Sequence, residues 1–195
     1  MEIPRNVLAV AKMGSDVNMR YAMSAALIVG GKTHNTISAT DGHKLLIVTW
    51  PAKTSCGGEK FLVGKESIAR VCRLSSKQSP VEMTRTGNKI TLTASTSELT
   101  VSVQEKKEVE GAFPPTNGII PAYSIVTPKK GTAVCIGITP RLMIDLLTAI
   151  EAACPSTEVG ITMMVPTDLN EPIRFDKACP DGKTAVAALM PRRLS

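Results

Sequence analysis

The sequence contains few of the residues that metal enzymes and single-strand nucleic-acid binders rely on. Aromatic residues make up 3% of the 195 positions, so unpaired bases have few stacking platforms. Two histidines are too few for most metal sites. The five cysteines include no closely spaced pair, which excludes CxxC zinc and redox motifs and is typical of reduced thiols in a cytosol. We therefore expect neither a metal nor a cofactor.

Signals for membranes and secretion are also missing. The longest uncharged stretch, residues 112–128, contains four prolines and several polar residues, so it does not predict a membrane span. Glu2 and Arg5 occur where a signal peptide would have its apolar core. These observations predict a cytoplasmic protein that makes no contact with a membrane.

The composition that remains is that of a globular protein with a modest positive charge. Hydrophobic residues account for 43% of the chain and charged residues for 21%, which argues against disorder. The net charge is +6, which suits a polyanionic partner. Motifs for phosphate loops, dinucleotide sites and zinc proteases are absent, so no chemistry of its own is expected.

Periodicity divides the chain into helices and antiparallel strands. Apolar spacing predicts helices over residues 5–13, 65–75 and 141–153, and Thr139 followed by Pro140 predicts an N-cap with proline at the first helical position. Each helix is accompanied by a few alternating strand-like segments. The sequence therefore predicts an α+β fold of about three units, each with one helix packed on antiparallel strands.

Two dipeptides predict hairpin turns. Asp41-Gly42 lies between strand-like segments and favours a type I′ turn, in which both central residues have positive φ. Gly87-Asn88 separates strands predicted over residues 81–86 and 89–95. The first turn also contains His43, which could pair with Asp41 in catalysis, but no nucleophile or metal ligand lies nearby in the sequence. A hairpin tip is the simpler interpretation of that segment.

Basic residues recur on all three predicted helices. Such residues usually form a solvated face, but their repetition on each helix also fits a surface that meets phosphates. Six residues on or just after these helices belong to this set: Arg5, Lys12, Arg70, Arg73, Lys77 and Arg141.

Several segments, in order along nearly the whole chain, resemble the bacterial DNA polymerase III β subunit, the sliding clamp. Residues 39–45, Ala-Thr-Asp-Gly-His-Lys-Leu, resemble a segment of the middle clamp domain, and residues 110–114 with 119–121 resemble the passage into the last domain. The segments 138–142 and 190–194, Met-Pro-Arg-Arg-Leu, resemble the last half of that domain. Clamps have three domains of two units each, whereas this chain has the equivalent of three units.

The resemblance implies a domain division and a site. Residues 1–112 would form a domain like the clamp's middle domain, 113–130 a connector, and 131–195 a half-domain. A hydrophobic cleft would receive short apolar peptides of partner proteins, and Tyr21 matches a DNA-facing position. Arg192 stands where the family prefers an apolar residue. The implied cleft comprises Arg20, Met23, Thr40, Gly42, His43, Leu45, Pro114, Ile119, Met190, Pro191 and Arg192.

The implied function is a non-catalytic accessory role in DNA replication or repair. A ring that encloses duplex DNA would slide on it without reading sequence, while DNA polymerase or repair proteins dock in the cleft. A clamp ring has twelve units, so three units a chain predict a homo-oligomer of four chains. Two alternatives remain open: a non-encircling, clamp-derived module that regulates clamp partners, and an open DNA-binding protein that uses basic charge alone.

Overall fold

The computed structural model describes residues 1–16, 22–54, 56–74, 79–87, 89–95, 100–105, 111–116, 118–120, 136–156, 158–168 and 170–192. Within them the chain forms one 3₁₀ helix, two α-helices and eleven strands. In chain order these are β1 (Glu2–Ile3), the 3₁₀ helix (Arg5–Met13), β2 (Ala25–Val29), β3 (His34–Thr40), β4 (Lys44–Pro51), β5 (Lys60–Gly64), α1 (Lys65–Leu74), β6 (Val81–Thr86), β7 (Lys89–Ser95), β8 (Thr100–Glu105), α2 (Pro140–Ala153), β9 (Thr162–Met164), β10 (Ile173–Ala178) and β11 (Thr184–Leu189).

The larger sheet combines strands from the first third of the sequence with strands from its C-terminal part. Its seven strands follow the order β5-β2-β3-β4-β11-β10-β9, and all the neighbouring strands are antiparallel. The central joint pairs β4 with β11, from Thr49↔Thr184 to Lys44↔Leu189. Every β11 residue except Thr184 and Val186 is buried, so this joint lies inside the core.

The smaller sheet has the order β1-β6-β7-β8. Its central hairpin pairs Thr86 with Lys89, which leaves a two-residue turn, and Gly87 has a φ of 60°. The predicted bounds of β6 and β7 are confirmed, since alternation and turn chemistry are both local signals.

One helical layer covers the sheets. The 3₁₀ helix packs against both α-helices and against β2, β3 and β4. Its buried residues Val7, Val10 and Met13, with Leu8 and Ala11 beside them, recur every three positions. That period matches three residues per 3₁₀ turn, so both apolar rows face the core over an unusually long 3₁₀ segment. The predicted helix over residues 5–13 is confirmed, with this tighter winding.

The two α-helices lie close to their predicted positions, with one difference in capping. Pro140 is at the start of α2, as predicted, but the Thr139 hydroxyl makes no capping hydrogen bond. The Thr139 carbonyl accepts the Met143 N–H at 3.2 Å, which is the first backbone hydrogen bond of the helix. The strand predicted over residues 133–138 lies largely outside the described residues. Within the described ranges, none of the helices combines the length and apolar character needed to span a bilayer.

Candidate functional site

The β3–β4 bend is organised by two side chains of its own segment. The Asp41 carboxylate accepts the backbone N–H groups of His43 and Lys44 at 2.9 and 3.0 Å, and the Thr40 hydroxyl donates to the Lys44 carbonyl at 2.8 Å. Among the described residues only glycines have positive φ, and Gly42 is at 90°. The predicted type I′ turn is therefore wrong, because Asp41 folds the chain through its side chain and four residues separate Thr40 from Leu45.

Lys44 joins this bend to α2. Its side chain is 8% exposed, and its ammonium lies 3.2 Å from the Asp41 carboxylate and 3.4 Å from that of Asp145. Asp145 in turn pairs with Arg141 one helical turn earlier, at 3.4 Å. A buried ammonium needs such partners, so these contacts hold the bend at a fixed position on the helix.

The chain after β11 runs directly along the bend. The Met190 N–H donates to the His43 carbonyl at 2.9 Å, and the Arg192 N–H donates to the Gly137 carbonyl at 2.8 Å. The tail segment, residues 190–192, is thus fixed on one side to the bend and on the other to the segment before α2.

Apolar side chains line the meeting point of bend and tail. Leu45 is buried at 2% exposure and Met23 at 8%, whereas Met190 is 42% exposed. A Cβ on Gly42 would lie 3.8 Å from the Met23 sulfur, which puts Met23 against the bend. Leu45 and Met23 are thus buried at this meeting point, and Met190 is open to solvent near the exposed His43.

The structure brings together six of the predicted cleft residues through these contacts: Met23, Thr40, Gly42, His43, Leu45 and Met190. Pro191 and Arg192 continue the tail toward Gly137. The passage at residues 111–116 is tied to this region, because the Ala22 N–H donates to the Ala112 carbonyl at 3.0 Å. Pro114 is half-buried in that passage and Ile119 is 36% exposed, and their part in the cleft stays a prediction. Arg20 lies outside the described residues.

Basic residues gather at a second place, a groove of about 600 Å³ between the 3₁₀ helix and α1. Arg5, Lys12 and Arg73 line it together with Lys65 and apolar side chains such as Ile68. The Arg5 guanidinium donates to the Cys72 carbonyl near the end of α1. Burial raises the pKa of the Cys72 thiol, against the opposing effect of Arg5 and Lys12. This cysteine is therefore a lining residue that stays a thiol near neutral pH.

The other predicted DNA-facing residues are spread more widely. Arg70 is exposed on α1 beside Arg73, whereas Arg141 is at the opposite end of α2 from Ala152, which lines the groove. Tyr21 and Lys77 lie outside the described residues. Lys65 was not predicted, although its spacing of eight residues from Arg73 puts both on one helical face and could have identified it. Its ammonium lies 2.6 Å from the Asp16 carboxylate, which lowers the pKa of Asp16.

The chain has the clamp-like α+β fold, and its described residues form three helices in one layer over antiparallel sheets. Among solved structures it is similar to the DNA polymerase III β subunit of Pseudomonas aeruginosa, with a TM-score of 0.73 at 18% identity, and to that of Thermotoga maritima, with 0.69 at 16%. A DNA polymerase sliding clamp of Bacillus subtilis matches with a TM-score of 0.52 at 13% identity.

These matches cover the chain almost completely but only part of the larger proteins. They cover 100%, 100% and 99% of this chain, and 66%, 65% and 49% of the three subunits in turn. No family model and no curated protein matches the sequence. The comparison therefore establishes a clamp-like fold for a chain that spans less than two thirds of the length of each of those subunits.

Proposed function

We propose that this chain is a non-catalytic accessory protein of bacterial DNA replication or repair, which docks short apolar peptides of its partners in the cleft between bend and tail. The observation that carries the proposal is the 2.9 Å hydrogen bond from the Met190 N–H to the His43 carbonyl. It joins two segments almost 150 positions apart, the two that carry the clamp resemblance. A clamp-like fold supports the same function and a cytoplasmic location.

The cleft has the chemistry of a peptide-docking site. In this proposal Met190 offers a flexible, polarizable side chain that adapts to different apolar anchors, with the buried Met23 and Leu45 beneath them as an apolar floor. His43 and backbone groups of the bend supply the polar contacts that orient a peptide. In this proposal Arg20, Pro114, Ile119, Pro191 and Arg192 complete the rim.

Peptide binding tests the cleft directly. We expect fluorescently labelled peptides with two apolar anchors to bind the full chain in an anisotropy titration, and Met190→Lys to weaken binding at least tenfold because it puts a charge among those anchors. The matched control is Met163→Lys on β9, also an exposed methionine. Equal loss in both variants, or no binding to the unsubstituted chain, contradicts the proposal.

Duplex DNA is the proposed second partner, bound without sequence preference. The basic groove, defined as Arg5, Lys12, Lys65 and Arg73, with Arg70 beside it, supplies positive charge that attracts phosphates but does not read bases. Four chains of three units would match the twelve units of a clamp ring, so we propose that an oligomer encloses the duplex and keeps docked partners near it.

An alternative proposal is a module that docks clamp partners without enclosing DNA. It is favoured by the internal partners of several basic groups: Arg141 pairs with Asp145, Lys65 with Asp16, and Arg5 donates to Cys72. The two carboxylates offset part of the positive charge, and the Arg5 contact occupies a donor group that could otherwise bind a phosphate.

Retention on DNA of different topology separates the candidates. A ring stays on closed circular DNA in high salt and is lost when the circle is cut. A docking module binds peptide but is not retained on either DNA. A protein that binds by charge alone dissociates from both DNAs as salt rises, and Arg73→Glu should then lower its logarithmic salt slope by about 0.9 for each phosphate that the variant no longer neutralises.

A further inference from the structure

One ion pair fixes how the last turn of α2 faces β10. The Lys177 ammonium, whose side chain is 1% exposed, donates to the Glu151 carboxylate at 2.5 Å. Alternate residues of a strand share a face, so Cys179, which follows β10 directly, is on the same face as Lys177. Residues three positions apart on a helix also share a face, so Cys154, which caps α2, is on the side of Glu151. Each cysteine therefore lies next to one partner of this ion pair.

The structure brings the thiols of Cys154 and Cys179 into contact. They share a hydrogen bond, and both residues belong to the hydrophobic core. The backbone on each side is fixed: the Asn6 amide donates to the Ala153 carbonyl at 2.7 Å, and the Cys179 N–H donates to the Lys183 carbonyl at 2.8 Å. Two sulfur atoms held in contact from both sides are the starting arrangement for a disulfide.

The two thiols differ in their access to solvent. Cys179 is 9% exposed and lies in the β10–β11 turn, where Ala178 and residues 180–182 are exposed, whereas Cys154 is completely buried. Burial, and after it the neighbouring Cys179 thiol, raises the pKa of Cys154 to about 12. Because a thiolate is the form that attacks a disulfide, a reaction with an external disulfide has to begin at Cys179.

We propose that Cys154 and Cys179 form an intramolecular disulfide by exchange with a low-molecular-weight disulfide such as oxidised glutathione. In the first step the Cys179 sulfur attacks one glutathione sulfur, the glutathione S–S bond breaks, and the glutathione that leaves takes the Cys179 proton. In the second step the Cys154 sulfur attacks the Cys179 sulfur, and the other glutathione leaves with the Cys154 proton. The cysteine pair loses two electrons, and the products that gain them are two glutathione thiols.

The new bond links the end of α2 to the turn that precedes β11. Strand β11 pairs with β4 and continues into the tail segment, so the link stabilises the C-terminal part of the larger sheet. Thiol–disulfide exchange is reversible and follows the redox state of the surroundings, which makes the pair a redox-sensitive device. The inference goes beyond the proposed function and does not rest on it, because neither cysteine is among the residues of the cleft or the basic groove.

Disulfide mapping of the full chain tests the pairing and needs no substitution. The native protein is incubated with oxidised glutathione, its free thiols are blocked with iodoacetamide in denaturant, and it is digested with trypsin without reduction. Cleavage after Lys177 and Lys183 releases Cys179 in the peptide 178–183, which we expect to find linked to the peptide that contains Cys154. Alkylation of both residues, a glutathione that remains on Cys179, or pairing of either residue with another cysteine overturns the proposal.

Thermal unfolding gives an independent measurement. A disulfide that closes a loop of roughly 25 residues should raise the midpoint of unfolding by about 5–10 °C, and dithiothreitol should reverse the change. Cys154→Ser should show no difference between oxidised and reduced samples. The matched control Cys56→Ser, at a half-buried cysteine outside the pair, should keep the full shift. Equal midpoints for the oxidised and reduced unsubstituted protein, or the same shift in Cys154→Ser, contradict the disulfide.

Discussion

The two glycine-containing hairpins, β3–β4 and β6–β7, begin from similar turn sequences and end in different surroundings. The β6–β7 turn has two residues, and Lys89 after it is exposed. The last β3–β4 pair is Thr40↔Leu45, which leaves four residues in the turn, and the last of the four, Lys44, is buried between carboxylates of the turn and of α2. The first hairpin only connects two strands, whereas the second is where the tail and α2 meet. A candidate site thus forms where a local turn gains long-range partners.

The largest difference in stability between the hairpins should come from Lys44 and Lys89, the first residues of β4 and β7. Lys44→Ala leaves two carboxylates without their ammonium and removes a buried stem, so we expect a loss of about 2–3 kcal/mol, below the full cost for a buried pair because both carboxylates are partly solvated. Lys89→Ala should change stability by less than about 0.5 kcal/mol. Urea denaturation measures both, and equal effects would remove the distinction between the hairpins.

The turn glycines give a smaller contrast. Gly87, at φ 60°, lies in the left-handed region that asparagine tolerates, so Gly87→Asn should cost less than about 0.5 kcal/mol. Gly42 is at 90°, outside that region, so we expect Gly42→Asn to cost about 1–2 kcal/mol through backbone strain. Thermal unfolding of the two variants gives the comparison. A larger loss at Gly87 would contradict it.

Substitution of Asp145 tests how much α2 contributes to holding the β3–β4 hairpin in place. Asp145→Asn weakens the ion pairs with Lys44 and Arg141, both partly solvated, and should cost about 0.5–1 kcal/mol. Glu158→Gln, at an exposed position without a described ion pair, is the control and should leave the urea midpoint unchanged. If Asp145→Asn also leaves it unchanged, the Asp41 carboxylate alone is sufficient for Lys44.

The smallest effect is expected for an ion pair outside both hairpins, which joins α2 to β10. The Lys177 ammonium donates to the Glu151 carboxylate at 2.5 Å and lowers the pKa of Glu151 below its ordinary 4.5. A depressed pKa contributes stability above pH 4.5 that is lost as pH falls through the folded-state pKa. Because Glu151 is mostly solvated, we expect this pKa shift to contribute less than about 0.5 kcal/mol to the free energy of unfolding. Glu151→Gln should flatten this part of the acid stability curve, and an unchanged curve would contradict the assignment.

Signals that act over a few neighbouring residues predicted the helices and strands better than they predicted the candidate site. The bounds of β6, β7 and β11 follow from alternation and turn residues, which act over a few positions. The error at Asp41 arose because its carboxylate satisfies two backbone donors, a competition that the Asp-Gly dipeptide does not reveal. The Thr139-Pro140 pair predicted the start of α2, but the Thr139 hydroxyl makes no capping hydrogen bond.

Contacts between residues far apart in the sequence could be predicted only from the resemblance to the clamp family. No periodicity pairs Lys44 with Asp145 or β4 with β11, because those partners are more than a hundred residues apart and alternation specifies faces but not neighbours. The clamp resemblance predicted that bend and tail form one cleft, and it named residues for it. It did not identify Lys44 as the residue that joins the bend to α2.

The pairing of β4 with β11 also determines when the proposed cleft could form during synthesis. Residues 40–45 leave the ribosome long before residues 184–192, so a nascent chain carries one wall of the cleft for most of its translation. The closing of so distant a pair is also an intrinsically slow step in folding. A partner that needs both walls of the proposed cleft would therefore bind only molecules in which β4 and β11 have paired. Its binding would then indicate that the core has finished folding.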